Sequence, residues 1–101
     1  MSAPDGAGDD GVTVADVPEL RRFEIRCDGD LAGFAEYRLR PPGIVFTHTA
    51  IVPAFEGRGL GGRLARAALD AARARGLAVR PACPFIRAWI ERHPAYADLV
   101  A

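Results

Sequence analysis

Residues 53–77 read PAFEGRGLGGRLARAALDAARARGL, and four of the six residues in 57–62 are glycine. Apolar residues recur at a helical period after them, which predicts a helix over about residues 60–75. A helix start leaves N–H groups unpaired and carries partial positive charge, so it attracts phosphate where side chains do not block the backbone. Each of the four glycines is expected to serve that close approach. We therefore predict a pyrophosphate cradle formed by Glu56, Gly57, Arg58, Gly59, Leu60, Gly61, Gly62 and Arg63.

Two other phosphate loops fit this stretch less well. A nucleoside-triphosphate loop needs Lys and then Ser or Thr after its last glycine, whereas Arg63 and Leu64 follow here. Gly57, Gly59 and Gly62 spell the dinucleotide fingerprint G-x-G-x-x-G, but that motif needs an acidic residue about 20 positions later. The chain reads LAVRPAC there and has no acid. A glycine-rich turn without a function stays an alternative.

The composition indicates one domain. The chain has 101 residues, of which 50% are hydrophobic. Residues 1–20 hold five acidic residues, no basic residue and no aromatic residue, which predicts a disordered acidic tail. Residues 21–101 hold all 13 basic residues, each an arginine, and eight acidic ones, so the predicted folded part carries a net charge of +5. This excess is compatible with an anionic ligand.

Cys27 and Cys83 are the two cysteines, and no spacing of Cys and His matches a metal site. The sequence has neither a secretory leader nor an apolar run long enough to span a bilayer. We therefore expect a soluble protein of a reducing compartment, the cytoplasm, without a disulfide or a metal ion. The arginines lack interleaved aromatic residues, so nucleic-acid binding is not favoured.

The rest of the chain predicts an α/β domain over residues 21–101 with a mixed, mostly antiparallel sheet and the order β-β-β-α-β-α. Strands are expected at 23–27, 31–39, 44–52 and 77–83, and a last helix between Pro84 and Pro94. A strand that follows a helical crossover runs parallel to the strand before the helix. In the third strand, Phe46, His48, Ala50 and Val52 should share one face.

The glycine stretch resembles the acyl-coenzyme A loop of the GNAT superfamily of N-acetyltransferases, whose pattern is R/Q-x-x-G-x-G/A at a helix start. Gly59 and Gly61 match this pattern, whereas Glu56 stands where Arg or Gln is usual. The segments HTAIVPAFEGRGLGGRLARAAL and RPACPFIRAWIERHPAYADLV resemble the small single-domain members of about 100 residues. The resemblance covers residues 22–100 and implies a reduced GNAT fold.

The resemblance implies that acetyl-CoA binds between two diverging strands, the third strand and the strand near 77–82. The pantetheine amides would pair with the backbone of Ala50, Ile51 and Val52, and an amide near Ile51 or Val52 would polarise the thioester carbonyl. The implied function is transfer of an acetyl group to an amine, either a small amine or a protein lysine or N-terminus. A monomer or a weak homodimer is expected.

Three side chains are candidates for the chemistry. Cys83 precedes Pro84 in the position of a helix cap, where the helix field and neighbouring arginines are expected to lower a thiol pKa, and the small GNAT proteins carry a cysteine at the matching place. His48 could act as a base. Tyr96, in a segment similar to the HPEY ending of these proteins, could serve at the edge of the site. Each also has a structural interpretation, because Cys83 and His48 could be core residues and Tyr96 could pack at a helix end.

Two departures from the family pattern support an alternative function. Ala50 occupies the place of the family's glutamate base, and Trp89 or Ile90 occupies that of its tyrosine acid. The alternative is therefore a non-catalytic module that binds or senses acyl-CoA. A nucleotide-binding or RNA-associated module is a third interpretation, supported only by the glycines and the charge.

Overall fold

The computed structural model describes residues 10–101. The strands are β1 (Val12–Val17), β2 (Arg22–Cys27), β3 (Asp30–Arg40), β4 (Gly43–Ile51) and β5 (Ala78–Pro81), and the α-helices are α1 (Leu60–Ala74) and α2 (Pro84–Arg92). Short 3-10 segments lie at Pro18–Leu20, Pro53–Phe55 and Pro94–Leu99. Neither helix is long and apolar enough to cross a lipid bilayer.

The five strands form one sheet in chain order, β1-β2-β3-β4-β5. Asp28 and Gly29 have φ values of 50° and 89°, and this left-handed backbone lets a tight hairpin join β2 to β3. The pairs β1–β2, β2–β3 and β3–β4 are antiparallel, and β5 is parallel to β4 because α1 carries the chain back across the sheet. The predicted α/β class with a mixed, mostly antiparallel sheet is confirmed.

β1 corrects the prediction of a disordered tail over residues 1–20. It pairs with β2 from Val12↔Cys27 to Val17↔Arg22, and the side chains of Val12 and Val14 are buried. The stretch VTVADV alternates apolar and more polar residues, and this strand pattern outweighs the acidic composition around it. Residues 1–9 of the predicted tail lie outside the described residues.

α1 and α2 pack side by side on one face of the sheet. α1 contacts β2, β3 and β4, and its buried face carries Leu64, Ala65, Ala68, Leu69 and Ala72. The sheet meets it with fully buried side chains that include Ile25 and Phe46. The alternate residues of the strands point to the other side, which no helix within residues 10–101 covers. We call this side the open face; it includes Phe34, Glu36, Arg38, Val45 and His48.

β4 contains a bulge at Thr47. Phe46 pairs with Tyr37 and His48 pairs with Glu36, so Thr47 is an extra residue without a partner on β3. The extra residue reverses the alternation, and His48 is therefore exposed on the open face, its ring centroid 6.0 Å from that of Phe34. The prediction that Phe46 and His48 share a face is wrong, and so is the interpretation of His48 as a core residue.

Candidate active site

A gap opens between β4 and β5 beyond Phe46. The two strands pair only from Gly43↔Ala78 to Phe46↔Pro81. The N–H of Cys83 donates a hydrogen bond to the carbonyl oxygen of Phe46 at 2.8 Å, after which the chain turns into α2. β4 continues along β3 to its end, so the strands separate. We call the resulting gap the slot.

One hydrogen bond shows which backbone groups of β4 face the slot. The N–H of Val52 donates to the carbonyl oxygen of Ala32 at 2.7 Å, so Val52 points toward β3. Successive residues of an antiparallel strand direct their backbone groups to opposite sides, so Ile51 and Thr49 face the slot while Ala50 faces β3. Of the predicted amides Ile51 is thus positioned for a ligand, whereas the amide of Val52 is already used by the fold.

The start of α1 lies beside the slot and has free N–H groups. Gly59, at the cap position, has a φ of 73°, and Gly57 has a φ of 83°. Both residues need the left-handed backbone that glycine adopts without strain. Within residues 10–101, no side chain caps this helix start. The first N–H groups of α1, those of Leu60, Gly61 and Gly62, are therefore available to an anion.

Gly61 and Gly62 lie against α2. A Cβ atom on Gly61 would lie 2.8 Å from Cζ of Phe85, and one on Gly62 would lie 3.4 Å from Nε1 of Trp89. The sequence-based expectation that all four glycines keep side chains away from a ligand is thus incomplete. Gly57 and Gly59 provide the backbone turn, and Gly61 makes room for Phe85 of α2.

The slot and the helix start belong to one cavity of about 420 Å³. Its walls include Thr49, Ile51, Phe55, Gly59, Gly61 and Phe85. The predicted cradle residues Glu56, Gly57, Leu60 and Gly62 also line it. A single ligand that spans this cavity can therefore contact both the unpaired part of β4 and the amides of α1.

Two of the predicted basic residues have other contacts in the structure. Arg63 forms an ion pair with Asp10, and the hydrogen bond from Arg63 lowers the pKa of that carboxyl. The guanidinium carbon of Arg58 lies 5.2 Å from the centroid of the Phe55 ring, at the wall of the cavity. Arg58 is thus next to the cavity, whereas Arg63 lines a separate groove along α1.

Cys83 lies behind the wall of the cavity. Its side chain is buried, and its thiol donates to the hydroxyl oxygen of Thr49 at 3.4 Å. Thr49 lines the cavity and Cys83 does not. The side chain of Thr49 therefore separates the thiol from the slot, and the thiol holds that side chain in place.

His48 and Tyr96 are not brought together with Cys83. His48 lies on the open face of the sheet, and Cys83 lies on the helix side. The hydroxyl of Tyr96 donates to Oδ1 of Asp70 at 2.8 Å on the outer face of α1, and Arg66 donates to it at 3.4 Å. Burial and the Asp70 carboxylate raise the pKa of Tyr96.

The sequence interpretation missed three residues of the cavity wall, Thr49, Phe55 and Phe85. Phe55 falls in the short 3-10 segment between β4 and the glycines, and Phe85 is the second residue of α2. Phe55 lies two residues after Pro53, and Phe85 directly follows Pro84. The sequence alone does not show which segments face each other across a cavity. It therefore could not identify these residues as part of the cavity wall.

Known proteins resemble this chain in sequence and in fold. The chain matches the family model for GCN5-related N-acetyl-transferase over residues 22–99. It resembles the NMR structure of a GCN5-like protein from Staphylococcus aureus, with a TM-score of 0.69, 22% identity, and coverage of 90% of this chain and 89% of that one. It also resembles a ribosomal-protein-alanine N-acetyltransferase from Brucella melitensis biovar Abortus, with a TM-score of 0.56 and 22% identity, covering 79% of this chain and 60% of that one.

At these identities the two structures show a shared fold. No curated protein sequence matches the chain. The family model covers more than three quarters of the sequence, including β2 to β5, both helices and the whole cavity. The chain therefore belongs to the GCN5-related N-acetyltransferase family.

Proposed function

We propose that the protein uses acetyl-CoA to acetylate the amine of an acceptor. One observation carries this proposal: the unpaired part of β4 and the uncapped start of α1 line the same cavity. A ligand with a diphosphate and a peptide-like arm matches both parts, because amides at a helix start bind phosphate and a strand edge binds amides. Membership of an N-acetyltransferase family supports the same ligand.

The residues present fit such a ligand. The amides of Leu60, Gly61 and Gly62 would hold the diphosphate, with Arg58 next to them. The backbone groups of Thr49 and Ile51 would hold the pantetheine arm. Acetyl-CoA supplies the acyl group as a thioester. The amide of Ile51 would then stabilise negative charge that develops on the carbonyl oxygen during transfer.

The transfer needs a neutral amine, because a protonated amine has no electron pair for attack on the thioester carbon. In direct attack a bond forms between the amine nitrogen and that carbon, the carbon–sulfur bond breaks, and the amine proton passes to a base. His48 is the candidate base on the open face. Transfer through the Cys83 thiol is the other route, but that thiol does not line the cavity. We propose direct attack.

A second function is an acyl-CoA binding module without turnover. The observations that favour it are the position of Ala50, which brings no carboxylate to the site, and the hydrogen bond that ties the Tyr96 hydroxyl to Asp70. The two functions share the cavity and differ only in the release of CoA thiol.

Calorimetry with acetyl-CoA, CoA and ADP tests the cavity. We expect binding of acetyl-CoA and CoA, and much weaker binding of ADP, because the slot contributes only when the pantetheine arm is present. Equal affinity for ADP would contradict the proposal. Thiol release from acetyl-CoA with a panel of amines then separates the enzyme from the binding module.

Replacement of Cys83 tests the route. We expect Cys83→Ser to keep thiol release within roughly tenfold of the native rate, because a serine hydroxyl can still hold Thr49. Cys27→Ser is the matched control, since Cys27 is the other free, buried cysteine and lies in β2. Complete loss of thiol release in Cys83→Ser, with activity kept in Cys27→Ser, would instead establish Cys83 as the nucleophile.

A further inference from the structure

Three arginines line one groove on the open face of the sheet. Arg38, Arg40 and Arg80 surround a cavity of about 460 Å³ with a floor that includes Gly43, Val45 and Ala78. We call this cavity the arginine groove. The pairing register builds it, because Arg38 lies opposite Val45 and Val45 lies opposite Arg80. Residues paired in this way point to the same side of a sheet, so β3 and β5 each contribute an arginine across β4.

No ion pair among the described residues neutralises the charges of the arginine groove, which Ala101 also lines. Within residues 10–101, the ion pairs are formed by Arg22, Arg26, Arg63, Arg73 and Arg75, and none involves an arginine of the groove. All three groove arginines are exposed. Arg38 and Arg80 stand two strand spacings apart, about 10 Å, so their charges repel each other without a counter-ion between them. The groove is thus suited to an anionic group.

The arginine groove lies on the same face as His48 and leads toward the slot. Its floor residue Val45 precedes His48 by three residues along β4, a distance of about 10 Å. The pairing of β4 with β5 ends one residue after Val45, at Phe46. A ligand that extends along β4 from the arginine groove therefore reaches the point where the slot opens.

We propose that the arginine groove binds an anionic group of the acceptor, a carboxylate or a phosphate. The acceptor is then an amine with negative charge roughly 10–20 Å from its reacting nitrogen, the span from Val45 to His48 and Ile51 along β4, such as the amine of an acidic peptide. Polyamines are excluded as preferred acceptors, since their second cation would face three arginines. This inference rests on the proposed function, because it names the acceptor of the same site.

The test compares three amidated peptides of equal length, Ala-Ala-Glu-Glu, Ala-Ala-Gln-Gln and Ala-Ala-Arg-Arg, and spermidine, with thiol release as the readout. An Ala-Ala-phosphoserine amide distinguishes phosphate from carboxylate. We expect kcat/KM for the glutamate or the phosphoserine peptide to exceed that for the glutamine peptide by roughly tenfold, and the arginine peptide and spermidine to be poorest. Equal or better use of spermidine would overturn the inference and leave the proposed function intact.

Variants assign the effect to the arginine groove. Arg38→Gln and Arg80→Gln should raise KM for the preferred anionic peptide by roughly five- to tenfold with little change in kcat, and leave the glutamine peptide unaffected. Arg92→Gln is the matched control, because Arg92 is an exposed arginine at the end of α2, away from the arginine groove. Unchanged KM in both groove variants would overturn the inference.

A binding measurement keeps the inference testable without turnover. The N-acetylated, amidated peptide Ala-Ala-Glu-Glu should shift the backbone amide signals of Val45 and Arg80 in an NMR titration, and added salt should weaken the effect. The glutamine version should not shift them. Shifts without thiol release would support the arginine groove while the proposed turnover fails, and equal shifts with both peptides would overturn the inference.

Discussion

Glycines two positions apart at the start of α1 have different physical roles. Gly59 has a φ of 73°, and no atom lies near the place where a Cβ would be, so glycine is needed here only for its left-handed backbone conformation. Gly61 has an ordinary helical backbone, but its missing side chain makes room for the ring of Phe85. The same residue type therefore serves the turn of the cradle at one position and helix packing at the other.

Replacement of these glycines separates the two roles. Gly61→Ala should lower the free energy of unfolding by less than about 1 kcal/mol, because the exposed ring of Phe85 has to move away from the new methyl group while alanine favours the helix. Phe85→Leu should recover part of that loss in the double variant. Gly59→Ala should cost about 1 kcal/mol through backbone strain, and Phe85→Leu should not recover it. Urea denaturation of the two glycine variants, the two double variants and Phe85→Leu alone measures this. Identical rescue at both positions would contradict this assignment.

Three elements are joined by one hydrogen-bond network. The hydroxyl of Tyr37 in β3 donates to Oδ1 of Asp16 in β1 at 2.6 Å, and Arg75, at the end of α1, donates to Oδ2 of Asp16 at 2.9 Å. Burial of Tyr37, together with its hydrogen bond to Asp16, raises the pKa of this tyrosine to about 12. The network fixes the edge strand β1 to the centre of the fold.

The raised pKa of Tyr37 gives stability a pH dependence with a defined sign. Folding favours the neutral phenol, so its contribution is complete below pH 10 and is lost as the pH rises through about 12. Tyr37→Phe should cost about 1 kcal/mol near pH 7 and should flatten the decline between pH 10 and 12. Chemical denaturation at several pH values measures this. Tyr96 keeps its own contribution in both proteins, and an identical alkaline decline would contradict the prediction.

The whole molecule depends on β1 for part of its core. A small domain buries a limited share of its surface, so each buried apolar residue matters more than in a large protein. Val12 and Val14 are 5% and 2% exposed and belong to the single core that also contains Ile25, Phe46 and Leu64. The acidic N-terminal part of the sequence therefore contributes to the stability of the fold.

Substitution in β1 tests this contribution. Val14→Ala should lower the free energy of unfolding by roughly 2 kcal/mol through lost burial and the cavity it leaves. Leu20→Ala is the control, because Leu20 follows β1 closely and is 53% exposed, so its truncation should change stability by less than about 0.5 kcal/mol. Equal effects of the two substitutions on urea denaturation would show that β1 is not part of the core.

The sequence predicted those parts of the fold that depend on local chemistry. The gaps between the predicted strands at residues 28–30 and 40–43 and the predicted start of α1 near residue 60 each follow from backbone preferences of a few residues. The bulge at Thr47 was not predictable in this way, because an extra residue in one strand is defined only by its partner strand. The approach of Phe85 to Gly61 likewise depends on how two helices pack.

The bulge at Thr47 makes the length of β4 matter more than its composition. Segments 43–46 and 48–51 follow the inside–outside alternation in two different frames, and one unpaired residue separates the frames. Deleting that residue would merge the frames and exchange the inner and outer surfaces of everything after it, including Thr49 and Ile51. A one-codon deletion here would therefore do more harm than exchange of the threonine for another amino acid.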